Sequence, residues 1–379
     1  MKEQTSTRKS NFELLRIVAI LLVITSHFCV HSNKAIYFQN PYTFNINYFL
    51  TLIFTTGNIA NNIFILITGY FMVKKEKNNK KIISLILDME FYSISIYLIL
   101  NALGLIKNIS PLKSIFAIFY GNWFCIYYII LYLISPYLNH ILNTLPKEKI
   151  KKLIITLLIL ISVVPTFIDV WGFTSHDVFI LSYLIGGYIR LYLDKKQDTK
   201  RIKIVLLYTI VLVILCVLSL YLIGITFKIF PFIEYYPHKL LVNNTSIFVI
   251  IIATCIFLLV KNKNIQYNRS INVASTTVLG IYLIHDNELL RYIIWNKFVP
   301  IDLYFTKWYF PIYAIIKILI VFIICYIIVK IKQMILNKPF NYIVDKIEEM
   351  IGDSNERTRR KQIWLFKRKN YRRVDKIKK

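Results

Sequence analysis

"FELLRIVAILLVITSHFCVH", residues 12–31, reads as one apolar helix of the length that a bilayer's hydrocarbon core requires. It nevertheless carries Glu13, Arg16, His27 and His31. Ionisable groups inside hydrocarbon are costly, so they face protein or a water-filled cavity and mark function. Helical geometry sorts them. Arg16 and His27 are eleven residues apart, about 20° past three full turns, so they share a face, with a rise of roughly 16 Å between them. Glu13 is three residues before Arg16 and close enough to pair with it. His31 lies about 40° round from His27, one turn further out. The helix therefore presents one polar stripe.

Comparable apolar runs recur along the chain, which has 379 residues and is 56% hydrophobic, with a mean hydropathy of +0.55. Spans are predicted near 12–30, 48–72, 82–104, 122–143, 152–168, 178–193, 203–223, 245–260, 272–294 and 310–332. The runs are unbroken rather than alternating, which excludes a β-barrel and leaves helices as the way to satisfy the backbone in lipid. The fold class is all-α: a polytopic membrane protein of about ten transmembrane helices, with a membrane domain over 1–332 and a basic tail over 333–379.

The net charge of +27 would suit nucleic acid, but its placement excludes that partner. Lysines and arginines crowd alternate loops, such as Lys74, Lys75, Lys77, Lys80 and Lys81 after the second span, while the intervening loops hold one or two each. That is the positive-inside pattern, and it puts both termini in the cytoplasm. The sparse loops are aromatic, as in "YFQNPYTFN" (37–45) and "WGFTSHD" (171–177). Interfacial aromatics anchor helices, and they also stack on sugar faces. The tail ends in "RTRRKQIWLFKRKNYRRVDKIKK" (357–379), a block of like charge suited to anionic lipid. The five cysteines are scattered through apolar segments with no CxxC pair, so no metal is expected from them. "HFCVH" has an i,i+4 histidine spacing without further obvious ligands, and it too gives no metal expectation. High Ile, Lys, Asn and Tyr usage points to an AT-rich coding genome, hence a bacterial plasma membrane.

A second polar cluster interrupts the span near 272–294. "GIYLIHDNELLRYIIW" (280–295) holds His285, Asp286, Asn287, Glu288 and Arg291. His285 and Glu288 can meet on one helix face. The cluster falls in the outer half of its span, so His27 and His285 share a depth. "LSYLIGGYIRLYL" (181–193) carries a Gly-Gly pair that permits close helix packing.

These segments resemble the membrane acyltransferase-3 family. "NFELLRIVAILLVITSHF" is similar to its opening pattern of an acid, an arginine three residues on and a histidine in the outer half of the span. "IFILITGYFM", "NWFCIYYIILYLISPYL", "YLIGGYI" and "GIYLIH" resemble later family segments in the same order. The resemblance implies transfer of acetyl from cytosolic acetyl-CoA to hydroxyls of cell-surface glycans. It implies His27 as catalytic base, with Arg16 as its companion and Glu13 where aspartate is common. Many members carry Arg-x-x-Arg after the second span; here the region reads "VKKEKNNKKIISL" (73–85). Lys80 and Lys81, with Arg16, are then the candidates for the CoA phosphates. His285, Asp286 and Trp123 are candidates for the acceptor, which is a glycan. The competing class is a transporter or flippase for polysaccharide or lipid-linked glycan, since intramembrane charges suit that role as well.

Overall fold

The computed structural model describes residues 9–32, 40–55, 57–106, 122–168, 177–241, 243–298 and 300–377, with side chains described to residue 351. The described residues are helical and contain no strand. Lys107, Lys113 and the aromatic stretches 37–39 and 171–176 lie outside them.

Among the described residues, seven helical stretches are long and apolar enough to cross a membrane. α1 is Ser10–His31; α2, Ile46–Phe54, and α3, Asn58–Met72, together make the second stretch; α4 is Asn79–Ala102 and α5 is Trp123–Thr144. α6, Lys147–Leu158, continues through a π turn to Phe167. α7 is Asp177–Tyr192, a shorter helix, and α8 is Thr199–Phe227. α9, Ile247–Asn262, is apolar but only 16 residues long. The seventh long stretch opens α13, Phe310–Ile377.

The span predicted over 272–294 is not one helix. It is α10, Arg269–Ser275; α11, Val278–His285; and α12, Glu288–Tyr292. The breaks follow from local chemistry. Thr276 and Thr277 turn their hydroxyls onto the carbonyls of Val273 and Ala274, the local bonding by which such residues compete with a continuing helix. Asn287 then caps α12 by accepting the Leu289 N–H at 3.0 Å.

α3 sits at the centre and packs against α1, α7 and α9. The Gly-Gly expectation holds here. A Cβ on Gly186 of α7 would lie 2.3 Å from the Leu66 carbonyl oxygen, and one on Gly69 of α3 would lie 2.2 Å from the Tyr183 carbonyl oxygen. The two backbones are in contact because neither glycine carries a side chain there. Asn61 and Asn62, set in the apolar face of α3, are satisfied across the bundle. Asn61 donates to the Asn244 side chain, Asn62 donates to the Asn244 carbonyl, and Ser182 donates to Asn62.

α13 has 68 residues, about 100 Å at 1.5 Å per residue, which is far longer than a bilayer is thick. It runs unbroken past residue 332. Lys332 is fastened to Asp88 of α4 at 2.6 Å, and Asn341, Val344 and Asp345 of the same helix line a cavity in the bundle.

Candidate active site

Two helix C-termini meet at the site. α1 ends at His31 and α11 at His285. The break after α11 frees Asp286 from the helix and aims it back at both histidines of α1. The Asn296 side chain donates to the His31 carbonyl at 3.1 Å and fixes the end of α1 in place.

The hydrogen bonds assign the protons. His285 Nδ1 lies 2.6 Å from the Ile281 carbonyl oxygen. A carbonyl only accepts, so Nδ1 carries the hydrogen and, in the neutral ring, Nε2 carries the lone pair. His285 Nε2 is 3.0 Å from His27 Nδ1, and it accepts from that N–H. The proton of neutral His27 is thus held on Nδ1, and Nε2 is left with a lone pair. His285 is fully buried, between the rings of Tyr282 and Trp295, whereas the His27 side chain is 17% exposed. Asp286 Oδ1 accepts from Arg291 Nε at 3.2 Å, the Asp286 carbonyl accepts from Arg291 Nη2 at 3.1 Å, and Oδ1 lies 2.9 Å from Nη2 as an ion pair and 3.5 Å from His27 Nδ1. A carboxylate at that distance favours any positive charge His27 takes on.

The predicted face-sharing of His285 with Glu288 is corrected. Glu288 starts a separate helix after Asn287, and the His285 ring nitrogens meet His27 and the Ile281 carbonyl.

The other end of the α1 stripe opens on a cavity of about 1260 Å³. Arg16 and Glu13 line it and form the ion pair their spacing predicts. Glu13 also accepts from Ser275 Oγ of α10 at 2.5 Å. Lys80 and Lys81 line the same cavity, joined by Lys9, Lys74, Lys75 and Arg190, so one mouth of it is strongly basic. Lys80 is not free there: Asp345 and Glu348 of α13 pair with it at 2.8 and 3.2 Å. The far end is walled by Val23, Phe124, Cys125 and Tyr282. Val23 and Tyr282 are one turn before His27 and His285, so the cavity stops a helical turn short of the histidine pair. The Phe124 and Tyr282 rings at that end are 5.9 Å apart.

The Trp123 indole packs beside Phe124 and Phe179. Tyr282, which lines the cavity's end, carried no signal in the sequence beyond its place in "GIYLIH".

A family model described as an acyltransferase domain matches residues 9–330. The chain belongs to the acyltransferase-3 family. The matched span contains the histidine pair and all the basic residues that line the cavity, while Asn341, Val344 and Asp345 of its lining lie beyond the match. With the apolar helices, the match makes the chain a multi-pass membrane acyltransferase and disfavours a transporter. Neither a curated protein nor a solved structure matches the chain.

Proposed function

We propose that this acyltransferase moves an acetyl group from cytosolic acetyl-CoA to a hydroxyl of a cell-surface or lipid-linked glycan, with His27 as the base. The observation that carries the reading is the proton order of the histidine pair. The Ile281 carbonyl holds the proton of His285, His285 holds that of His27, and His27 Nε2 remains to accept one. In the transfer, the acceptor hydroxyl oxygen bonds to the thioester carbonyl carbon while its proton goes to His27 Nε2. The carbon–sulfur bond then breaks, and the proton returns from His27 to the departing thiolate. Asp286 offsets the charge on the imidazolium between these steps, while Arg291 orients Asp286.

The basic cavity supports a polyanionic donor. Arg16, Lys80 and Lys81 meet the CoA phosphates, with Lys74, Lys75 and Arg190 as additional charges, and the pantetheine arm reaches toward Tyr282. Lysines act as point charges on phosphate rather than as bidentate forks. Delivery of the thioester to His27 requires the Phe124 and Tyr282 rings to part. His285 and Asp286 border the acceptor, and the tail lies on anionic lipid at the cytoplasmic side.

The test is transfer of labelled acetyl from acetyl-CoA to surface glycan in membranes that carry the wild type or Arg16→Ala. Arg16→Ala is expected to raise the KM for acetyl-CoA with normal membrane insertion. Equal use of acetyl-CoA by both would remove Arg16 from the donor site. No glycan acetylation by the wild type would overturn the reading as a whole.

A further inference from the structure

The acid–base scheme leaves His31 unused, although it belongs to the same cluster. His31 Nε2 is 3.4 Å from Asp286 Oδ1, and His27 Nδ1 is 3.5 Å from the same oxygen. One donor atom from each of His27, His31 and Asp286 lies within 4.8 Å of the other two. Separations of 3.4–3.5 Å are longer than an N–H···O hydrogen bond. They do match two ligands of one tetrahedral ion: bonds of about 2.0–2.1 Å give ligand–ligand edges of about 3.4 Å. An octahedral ion with similar bonds would bring neighbouring ligands to about 3 Å. Two imidazole nitrogens and a carboxylate oxygen are a zinc donor set with a fourth position open. The surrounding contacts also suit a metal site. Arg291 orients the carboxylate through one hydrogen bond and an ion pair, and such outer contacts fix ligand geometry. Both histidines are partly exposed, at 17% and 22%, which gives an ion access.

The geometry points to a zinc site formed by His27 Nδ1, His31 Nε2 and the Asp286 carboxylate, whose occupancy switches acyl transfer off. The second half rests on the proposed role of His27; the first does not. A neutral imidazole carries one proton. Zinc on Nδ1 displaces the hydrogen that His27 gives to His285, and the ring then holds its proton on Nε2. The lone pair needed to accept the hydroxyl proton is gone. Metal and base chemistry are alternatives at one ring.

The experiment is equilibrium dialysis of the purified full-length protein in detergent against zinc alone, with acetyl transfer measured in parallel. The account expects about one zinc per chain at micromolar free metal, weakened about tenfold or more by His31→Gln. It also expects zinc to inhibit wild-type transfer reversibly, and His31→Gln to keep metal-free activity while losing that inhibition. Cobalt(II) on the wild type supplies a readout that does not depend on the variant folding, namely the visible absorption of a tetrahedral nitrogen–oxygen site. Absence of zinc binding below about 100 μM, binding unchanged by His31→Gln, or an octahedral cobalt spectrum would overturn the site. Binding that depends on His31 in a protein without transferase activity would uphold the site and remove the acetyl-transfer reading instead.

Discussion

His27 Nδ1 and His285 Nε2 lie 3.0 Å apart, although 258 residues separate them in the chain. The contact joins the end of α1 to the end of α11, and its direction is set by the Ile281 carbonyl behind His285. In the proposed transfer, His285 is a positioning residue that keeps the proton of His27 off Nε2.

His285→Phe removes that acceptor and releases the tautomer of His27. The expected result is a fall in kcat of about 10²-fold or more, with the KM for acetyl-CoA little changed, because His285 is remote from the basic cavity. His285→Gln, which still offers an acceptor oxygen, recovers part of the loss. Steady-state kinetics on the two variants in membranes checks both statements. Equal kcat in the phenylalanine and glutamine variants would mean that His285 acts by packing alone.

The pairing of Lys80 with Asp345 and Glu348 places two carboxylates of α13 at a cavity proposed to receive phosphates. Asp345→Asn with Glu348→Gln frees Lys80 and reduces local repulsion. A several-fold lower KM for the acyl-CoA donor is expected, largest at low ionic strength, since exposed charges are screened by salt. Titration of the donor at two salt concentrations measures it.

Gly186→Ala puts a methyl group 2.3 Å from the Leu66 carbonyl oxygen, against backbone that cannot swing aside. A destabilisation of about 1–3 kcal/mol is expected from overpacking, read as a lower thermal midpoint in detergent. Gly104→Ala serves as a control for the cost of backbone strain alone, because its φ is +66° and a Cβ there would meet nothing within 4 Å.

Asp194, in the loop between α7 and α8, is pulled two ways. Partial burial pushes its carboxyl up, but hydrogen bonds from Tyr70 and Arg190, together with the Arg190 charge, leave it below the usual carboxylate range. A lowered folded value means that the ionised form stabilises the fold. That contribution is complete above the ordinary aspartate range and is lost as pH falls through the lower folded value. Asp194→Asn is therefore expected to cost stability at neutral pH and to flatten the acid limb of a stability–pH curve.

The sequence was informative where one helix carries the signal by itself. The apolar runs gave the long spans, the i,i+3 spacing gave the Glu13–Arg16 pair, and adjacent glycines gave a close helix contact on α7, though not α3 as the partner. Shared depth suggested that His27 and His285 could meet, but depth alone does not say which nitrogens face each other. Hydropathy was blind to the breaks at Thr276–Thr277 and Asn287, since a short interruption barely alters an average over 20 residues. Once α11 stops at His285, Asp286 and Arg291 pair across five residues, a spacing that does not face on a continuous helix. The ties of α13 to Lys80 and Asp88 were equally hidden, because they depend on a helix holding its direction beyond the apolar run. Tyr282 and Phe124, which end the cavity below the histidines, looked like ordinary apolar filling.

The central claim is that His27 accepts the proton of the attacking hydroxyl, and the most direct measurement is the rate of acetyl transfer to surface glycan by His27→Ala in membranes. The variant should be inserted at wild-type level, bind acetyl-CoA normally and transfer no detectable acetyl. Transfer at the wild-type rate would contradict the account.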